Sequence, residues 1–262
     1  MSELFDEIPL WSAPFGLKLL DFVNYKPGIT ALDIGCGAGF PLLELAMRLG
    51  NSSKVYGIDP DSESLSLAGS KAETFGIGNI HLIKGVAEEI PLGDHSIDLI
   101  VSNNGINNVS DIHIVLNECA RVLKPIGQFV LSINLDQTFI EFYKQLEEVL
   151  KEINLPVAIR QMHQHIYEKR RPLDEMLALM QQSGFQIKTV GKEEFSYRFT
   201  DATAMFQHHF IRTSFLPSWR KLLPETNADE ILGEVESRMN EQVLQAGSLS
   251  LSVPFVVINA TR

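Results

Sequence analysis

Residues 29–49 pass from a short apolar run, through glycines on alternate positions, into a helical pattern. The run ending in Ala31-Leu32-Asp33-Ile34 has the length and content of a buried strand. Gly35, Gly37 and Gly39 follow, and residues 41–49 place Leu42, Leu45, Ala46 and Leu49 on one helical stripe. A strand that turns through glycine into a helix N-terminus is a layout that receives nucleotide-like ligands. Gly35 lets the chain turn sharply off the strand, and Gly37, with no Cβ, lets main-chain N–H groups approach a ligand. Gly39 allows close packing of the helix, and Pro41 suits its first turn. The plain alternative is a tight strand-to-helix turn with no ligand.

Length and composition narrow the class. At 262 residues and 45% hydrophobic, the chain can bury one large core, or one core with a lid. The net charge is −11, the pI is about 5.1, and no Lys/Arg run occurs, so the footprint of a nucleic-acid binder is missing. Met1-Ser2-Glu3-Leu4-Phe5-Asp6-Glu7 lacks the basic region of a secretory signal. The longest uncharged apolar stretch, residues 249–260, is too short for membrane insertion. Cys36 and Cys119 make neither a disulfide framework nor a zinc set. His163 and His165 alternate without further ligands nearby, so no metal site is read. A reduced, cytoplasmic enzyme is expected.

In chain order, residues 1–12 read as a mobile arm and 14–23 as a helix with Phe15, Leu19, Phe22 and Val23 on one side. Further strands are expected at 54–58, 79–84, 98–102, 128–133, 185–190 and 249–260. Helices are expected at 62–75, from Ser110 or Asp111 to about Leu123, and at 136–153, 172–183, 201–215 and 228–246. Residues 156–171 show no clear period. Alternating strands and helices imply a mainly parallel sheet covered on both faces. The second strand ends at Asp59-Pro60-Asp61, where an acid can accept two hydrogen bonds from a ribose diol. The plainer role of helix cap falls to Asp61 or Ser62, which leaves Asp59 for function. Asn103-Asn104-Gly105-Ile106-Asn107-Asn108 reads as a polar turn after the fourth strand.

Leu32-Asp33-Ile34-Gly35-Cys36-Gly37-Ala38-Gly39 resembles motif I of the class I S-adenosylmethionine (SAM)-dependent methyltransferases. Asp59 resembles the acid of motif II. Val86-Ala87-Glu88-Glu89-Ile90-Pro91 resembles the adenine-holding segment, with Val86 where the family has an acid. Arg121-Val122-Leu123-Lys124-Pro125-Ile126-Gly127 is similar to the Arg-x-Leu-Lys-Pro-Gly-Gly turn, with Ile126 replacing one glycine. The overall resemblance is to small-molecule methyltransferases similar to the C-methyltransferases of ubiquinone and menaquinone biosynthesis. It runs from about residue 29 to 134.

The resemblance implies an α/β fold, a seven-stranded, mostly parallel, doubly wound sheet of order 3-2-1-4-5-7-6 with the last strand antiparallel. It implies a single domain over 1–262, with a core of about 26–134, 172–191 and 249–262. Helical lid insertions are expected at about 1–25, 134–171 and 191–248, longer than plain connections of about 4–6 residues. The implied cofactor is SAM, leaving as S-adenosylhomocysteine (SAH). The implied cofactor ligands are Asp33, close to the ammonium, with Gly35, Cys36, Gly37, Gly39, Asp59, Pro60, Val86, Ala87, Glu88, Asn103 and Asn104. Catalytic candidates are Asn103, Asn104 and His209. Phe139, Tyr143, Phe206, His209 and Phe210 are candidate walls of a substrate pocket, His208 is a further candidate ligand or base, and Trp11 and Phe15 belong to either lid or core. The partner is a small-molecule methyl acceptor, and a homodimer is left open. Transfer needs an aligned nucleophile and a dry site; a base is needed only for a poorly ionised acceptor. The alternatives are a non-catalytic SAM-binding sensor or partner subunit, and a nicotinamide-dependent oxidoreductase. The latter favours G-x-G-x-x-G, where this chain has Phe40.

Overall fold

The computed structural model describes residues 11–262. The first ten residues, which hold most of the expected arm and part of the expected 1–25 lid, lie outside the described residues.

A seven-stranded sheet of order β3-β2-β1-β4-β5-β7-β6 organises the fold. Its strands are β1 (Thr30–Ile34), β2 (Lys54–Asp59), β3 (Ile80–Lys84), β4 (Ile97–Asn103), β5 (Leu123–Asn134), β6 (Gln186–Phe199) and β7 (Leu249–Thr261). β1 pairs in parallel with β2 and β4, and β7 pairs antiparallel with β5, from Gln128 opposite Thr261 to Asn134 opposite Phe255. Ala31, Leu32, Ile34, Ile100, Val101, Val130 and Val257 are buried, as unbroken apolar strands in a covered sheet must be. The described α-helices are α1 (Ser12–Asp21), α2 (Leu42–Leu49), α3 (Ser62–Phe75), α4 (Ile112–Val122), α5 (Ile140–Glu152), α6 (Pro156–Lys169), α7 (Leu173–Gln182), α8 (Ala202–Gln207), α9 (Leu216–Arg220) and α10 (Ala228–Ala246).

Two helix starts follow directly from their sequence. The Asp61 carboxylate accepts the N–H groups of Glu63 and Ser64, and the Asp111 carboxylate those of His113 and Ile114. Asp98 accepts the Thr30 N–H at 2.9 Å and pairs with Lys124 at 2.8 Å, so it fixes strand ends rather than serving a site. Ile126 has φ +61° and is 88% exposed; it takes the left-handed turn position where a glycine would sit without strain.

Three stretches differ from expectation. Residues 156–169 form a helix, but only Ala158 and Met162 are buried, which leaves too narrow an apolar stripe to show a period. β6 runs well beyond residue 190, because its continuation alternates half-buried Phe195, Tyr197 and Phe199 with exposed Ser196 and Arg198. It is an edge strand bearing Lys192, Glu193 and Glu194, charges that mask its period and guard the edge. Helix α8 stops at Gln207, and residues 211–215 form a wider helical turn, so 201–215 is not one helix.

The contacts divide the chain into two compact units. One holds the described residues up to Asn134, Leu173–Glu193 and Phe255–Arg262; the other holds Leu135–Pro172 and Glu194–Pro254. In the first, Phe15 is fully buried, edge-on to Phe255 with centroids 4.7 Å apart, which makes it a core residue. The second is built on aromatic packing, with Phe142 stacked on Trp219 at 3.8 Å and Phe139 against Phe215 at 4.8 Å.

Candidate functional site

The first unit carries a cavity of about 380 Å³ beyond the carboxyl ends of β1, β2 and β4. Ligands of open parallel sheets bind at such ends. Of the residues singled out by sequence, Gly35, Asp59, Pro60, Val86, Ala87 and Glu88 line it. Ile34, Ile58, Gly85, Gly105, Asn108, Val109 and Ser110 complete the lining.

The glycine loop is held against β2 and the end of β4. Gly35 N–H and Cys36 N–H both donate to the Ile58 carbonyl, at 2.9 and 3.2 Å. Gly35 has φ +71°, and a Cβ there would stand 2.7 Å from Gly105 Cα. Two backbones therefore touch where β1 and β4 leave the sheet, and both need glycine. Gly37 has φ +49° and open space where its Cβ would be, so a side chain there would project away from the protein. Gly39 lies close to Leu43 and to Ala68 of α3, so its packing role concerns helices rather than the sheet. Lys71 Nζ donates to the Ala38 carbonyl at 2.6 Å and braces the loop from α3.

Asp59 lies in the cavity lining. Its carboxylate accepts Gly37 N–H and Asp61 N–H, each at 2.9 Å. A carboxylate offers about four lone-pair sites, so two acceptor positions remain for a ligand hydroxyl pair. Asp33 sits behind the loop. It is fully buried, and neither carboxylate oxygen has a hydrogen-bond partner. Burial, and then the charge of Asp59, push its carboxyl well above the usual range; the main-chain amide of Leu42 is the one opposing influence. Cys36 is also buried; its thiol is pushed up by burial and packs toward Gly57, which makes it a spacer and not a nucleophile.

The opposite wall is residues 85–94. Val86 is 46% exposed and faces the cavity, so the position with no family acid is not a core position. Glu88 accepts Ser110 N–H at 2.7 Å and Asp111 N–H at 3.3 Å, joining this wall to the start of α4. Arg121 fastens the far end through the carbonyls of Ile90 and Leu92, both at 2.8 Å, and through Asp94 and Glu118. Sequence pointed to the segment but not to this brace, which depends on a helix thirty residues on.

The remaining candidates are placed differently. Asn103 is buried; it donates to the Ser12 carbonyl at 3.0 Å and accepts the Ser132 hydroxyl at 2.7 Å, tying α1 to the sheet. Asn104 has φ +57°; its Oδ1 accepts Asn107 Nδ2 and Asn134 N–H, both at 3.1 Å, while its buried Nδ2 has no partner. Neither residue lines the cavity, whereas Asn108 and Gly105 of the same turn do. Those two were missed because a polar turn does not show which of its residues face inward.

Other candidates fall in the second unit. His209 is exposed, and neighbouring His208 is held below the usual imidazole range by burial and then by His209. Phe139 and Tyr143 are buried in that unit's own aromatic core rather than offered as a wall. In the first unit, Trp11 is half-buried against Phe15, ring centroids 5.1 Å apart. Among the described residues no cluster of His, Cys, Asp or Glu is arranged to hold a metal ion, and no helix is long and apolar enough to cross a membrane.

The model of a family described as a methyltransferase domain matches residues 25–203. The demethylmenaquinone methyltransferase of Staphylococcus aureus strain MRSA252 is 30% identical over 185 residues, covering 71% of this chain and 71% of that protein. That of Bacillus licheniformis is 37% identical over 129 residues, covering 49% of this chain. The chain spans 54% of that second relative's length. Among solved structures, a geranyl diphosphate C-methyltransferase from Streptomyces coelicolor A3(2), in complex with Mg²⁺, geranyl diphosphate and SAH, aligns with TM-score 0.59. It is 17% identical, and the alignment covers 95% of this chain and 79% of that one, a likeness of fold.

Proposed function

Because the chain belongs to the methyltransferase domain family, we propose that it moves a methyl group from SAM to a small-molecule acceptor. The observation that carries this reading is the Asp59 carboxylate, held by Gly37 N–H and Asp61 N–H at the rim of the cavity beyond β1, β2 and β4. The residues present fit the cofactor. Asp59 suits a ribose diol, Val86, Ala87 and Ile58 give an apolar wall for a purine, and Asp33 is a buried acid with no cation of its own. Gly37 leaves room beside the loop for a ligand's amino-acid end.

When bound, SAM supplies a methyl group already activated on a sulfonium. The chain's own task is to orient that group and keep water from it. Asp59 and the glycine loop fix one end, and the braced wall of Val86, Ala87 and Glu88 confines the other. Asn104 Nδ2 is a buried donor with no partner in the turn after β4, and since Asn104 does not line the cavity it is assigned no acceptor contact. No base is assigned, since an ionised acceptor needs none. The second unit, which holds most of two of the three expected insertions, 134–171 and 191–248, is our candidate for selecting the acceptor.

The test has two stages. Calorimetry with SAH and NAD should show SAH binding and no NAD binding. Turnover of methyl-labelled SAM over a panel of quinols, phenols and small acids then separates an enzyme from a SAM-binding sensor. SAH binding with no turnover on any member favours the sensor.

A further inference from the structure

The first unit carries a second cavity, of about 420 Å³, at the amino ends of β2 and β3. Asn51, Ser53, Lys54, Gly78, Asn79 and His81 help to line it, and no lining residue is a carboxylate. In a chain of net charge −11, a cavity with a lysine and no acid stands out. Lys54 and Asp59 occupy opposite ends of β2, about 17 Å apart at the rise of a strand, so this cavity is separate from the one that Asp59 lines.

Strand register brings the donors together. Tyr56 pairs with His81 and lies two residues from Lys54, so the three side chains share one face of the sheet. The Tyr56 ring is 5.2 Å from the His81 ring and 6.0 Å from Lys54 Nζ, which sets both beside the cavity. Among the described residues Lys54 Nζ makes no hydrogen bond or ion pair, and the Gly78 main-chain N–H has no acceptor. Ser53 is 4% exposed, and its hydroxyl makes only a long contact, 3.4 Å, with the Leu49 carbonyl.

A lysine here has a plainer role to be weighed first. Helices α2 and α3 both end beside the cavity, and a helix C-terminus carries partial negative charge that a cation offsets. The carbonyls behind that charge are already engaged. Asn79 Nδ2 donates to those of Ala46 and Gly50, at 3.1 and 3.0 Å. Ile77 N–H and Gly76 N–H donate to those of Ala72 and Glu73, at 2.8 and 3.2 Å. Lys54 is thus left for a ligand. Asn79 Oδ1, whose amide nitrogen is spent, is left as an acceptor.

We propose that this cavity binds a small phosphomonoester with a hydroxylated body, such as a pentose phosphate. Lys54 meets the phosphate as a point charge. The Ser53 hydroxyl, the Gly78 N–H and the His81 imidazole, which offers an N–H in either tautomer, supply further donors. Asn79 Oδ1 and the Asn51 amide suit the hydroxyls of the body. The polar lining gives an apolar body nothing to bury against. A ligand here lies outside the Asp59 cavity, so it is an effector and not a methyl acceptor.

The test is calorimetry on the full chain with ribose 5-phosphate, inorganic phosphate and ribose. Ribose 5-phosphate should bind, inorganic phosphate should bind more weakly, and ribose should not bind. Lys54→Met should weaken ribose 5-phosphate about tenfold or more, as expected for loss of a charged hydrogen bond, and Lys54→Arg should recover part of the loss. A Cβ on Gly78 meets nothing in the protein, so Gly78→Val should fold and, by its bulk at the wall, also weaken binding. Lys188→Met, on the edge strand β6, should change nothing, and saturating SAH should not displace the ligand. Four results each overturn the proposal: no binding of ribose 5-phosphate, inorganic phosphate bound as tightly, Lys54→Met no weaker than Lys188→Met, or displacement by SAH. Loss of SAH binding in a parent protein that still binds ribose 5-phosphate would instead sink the methyltransferase reading and leave this site standing.

Discussion

The Asp59 carboxylate accepts the Gly37 main-chain N–H at 2.9 Å, so the end of β2 holds the glycine loop after β1 in place. On the proposed reading, the loop is thereby shaped before the cofactor arrives, which lowers the ordering cost of binding.

Replacing Asp59 removes both the loop brace and the proposed acceptor for a ribose diol. Asp59→Ala should weaken SAH binding by about 1.5–3 kcal/mol, the range for hydrogen bonds to a charged group. Asp59→Asn, which keeps one carbonyl oxygen, should fall between. Calorimetry checks the order; equal affinity in all three proteins would remove Asp59 from the site.

Gly35 and Gly37 should behave differently though both have positive φ. A Cβ on Gly35 meets the Gly105 backbone, while one on Gly37 meets nothing. Gly35→Ala should lower the melting temperature sharply, because left-handed strain of about 1–3 kcal/mol adds to a backbone clash. Gly37→Val should bear the strain alone but lose SAH binding through bulk on the ligand side. A Gly37→Val protein that binds SAH normally would place the ligand elsewhere.

Val86 lines the cavity and is half-exposed, so a charge there is not buried. Val86→Asp should change stability by about 0.5 kcal/mol or less, as surface substitutions do. It should tighten SAH binding by supplying an acceptor for an amino group. A melt with and without SAH reads both effects; a collapse of stability would return Val86 to the core.

Asp33 sets a pH dependence. Its folded carboxyl is raised by burial and by Asp59, while the unfolded value is ordinary, about 3.9. Its contribution to stability is therefore full below the unfolded value and lost as pH rises through the folded one. Asp33→Asn carries no such dependence, so the variant should gain on the parent across that window. Melting curves of both proteins against pH test this. A cation bound near the loop favours the ionised form, so SAH binding should release protons below the raised value and fewer above it. Proton uptake, or parallel melting curves, would contradict the assignment.

Much of this protein is written locally. Apolar runs of strand length, acids that cap helices such as Asp61 and Asp111, and glycines at a strand end are short-range signals, and they placed the sheet, its order by resemblance, and Asp59. Helix α6 and the extension of β6 escaped, because a mostly exposed element buries too few side chains to impose a period. The tertiary structure alone decided which residues meet across long separations. It set Gly35 against Gly105, joined Glu88 to Ser110, sealed Asp33 from solvent, and gathered Arg170, Tyr143 and Trp219 around one oxygen. Each of these depends on how packed elements bring distant side chains within a hydrogen bond's length, and no local pattern of residues encodes that distance.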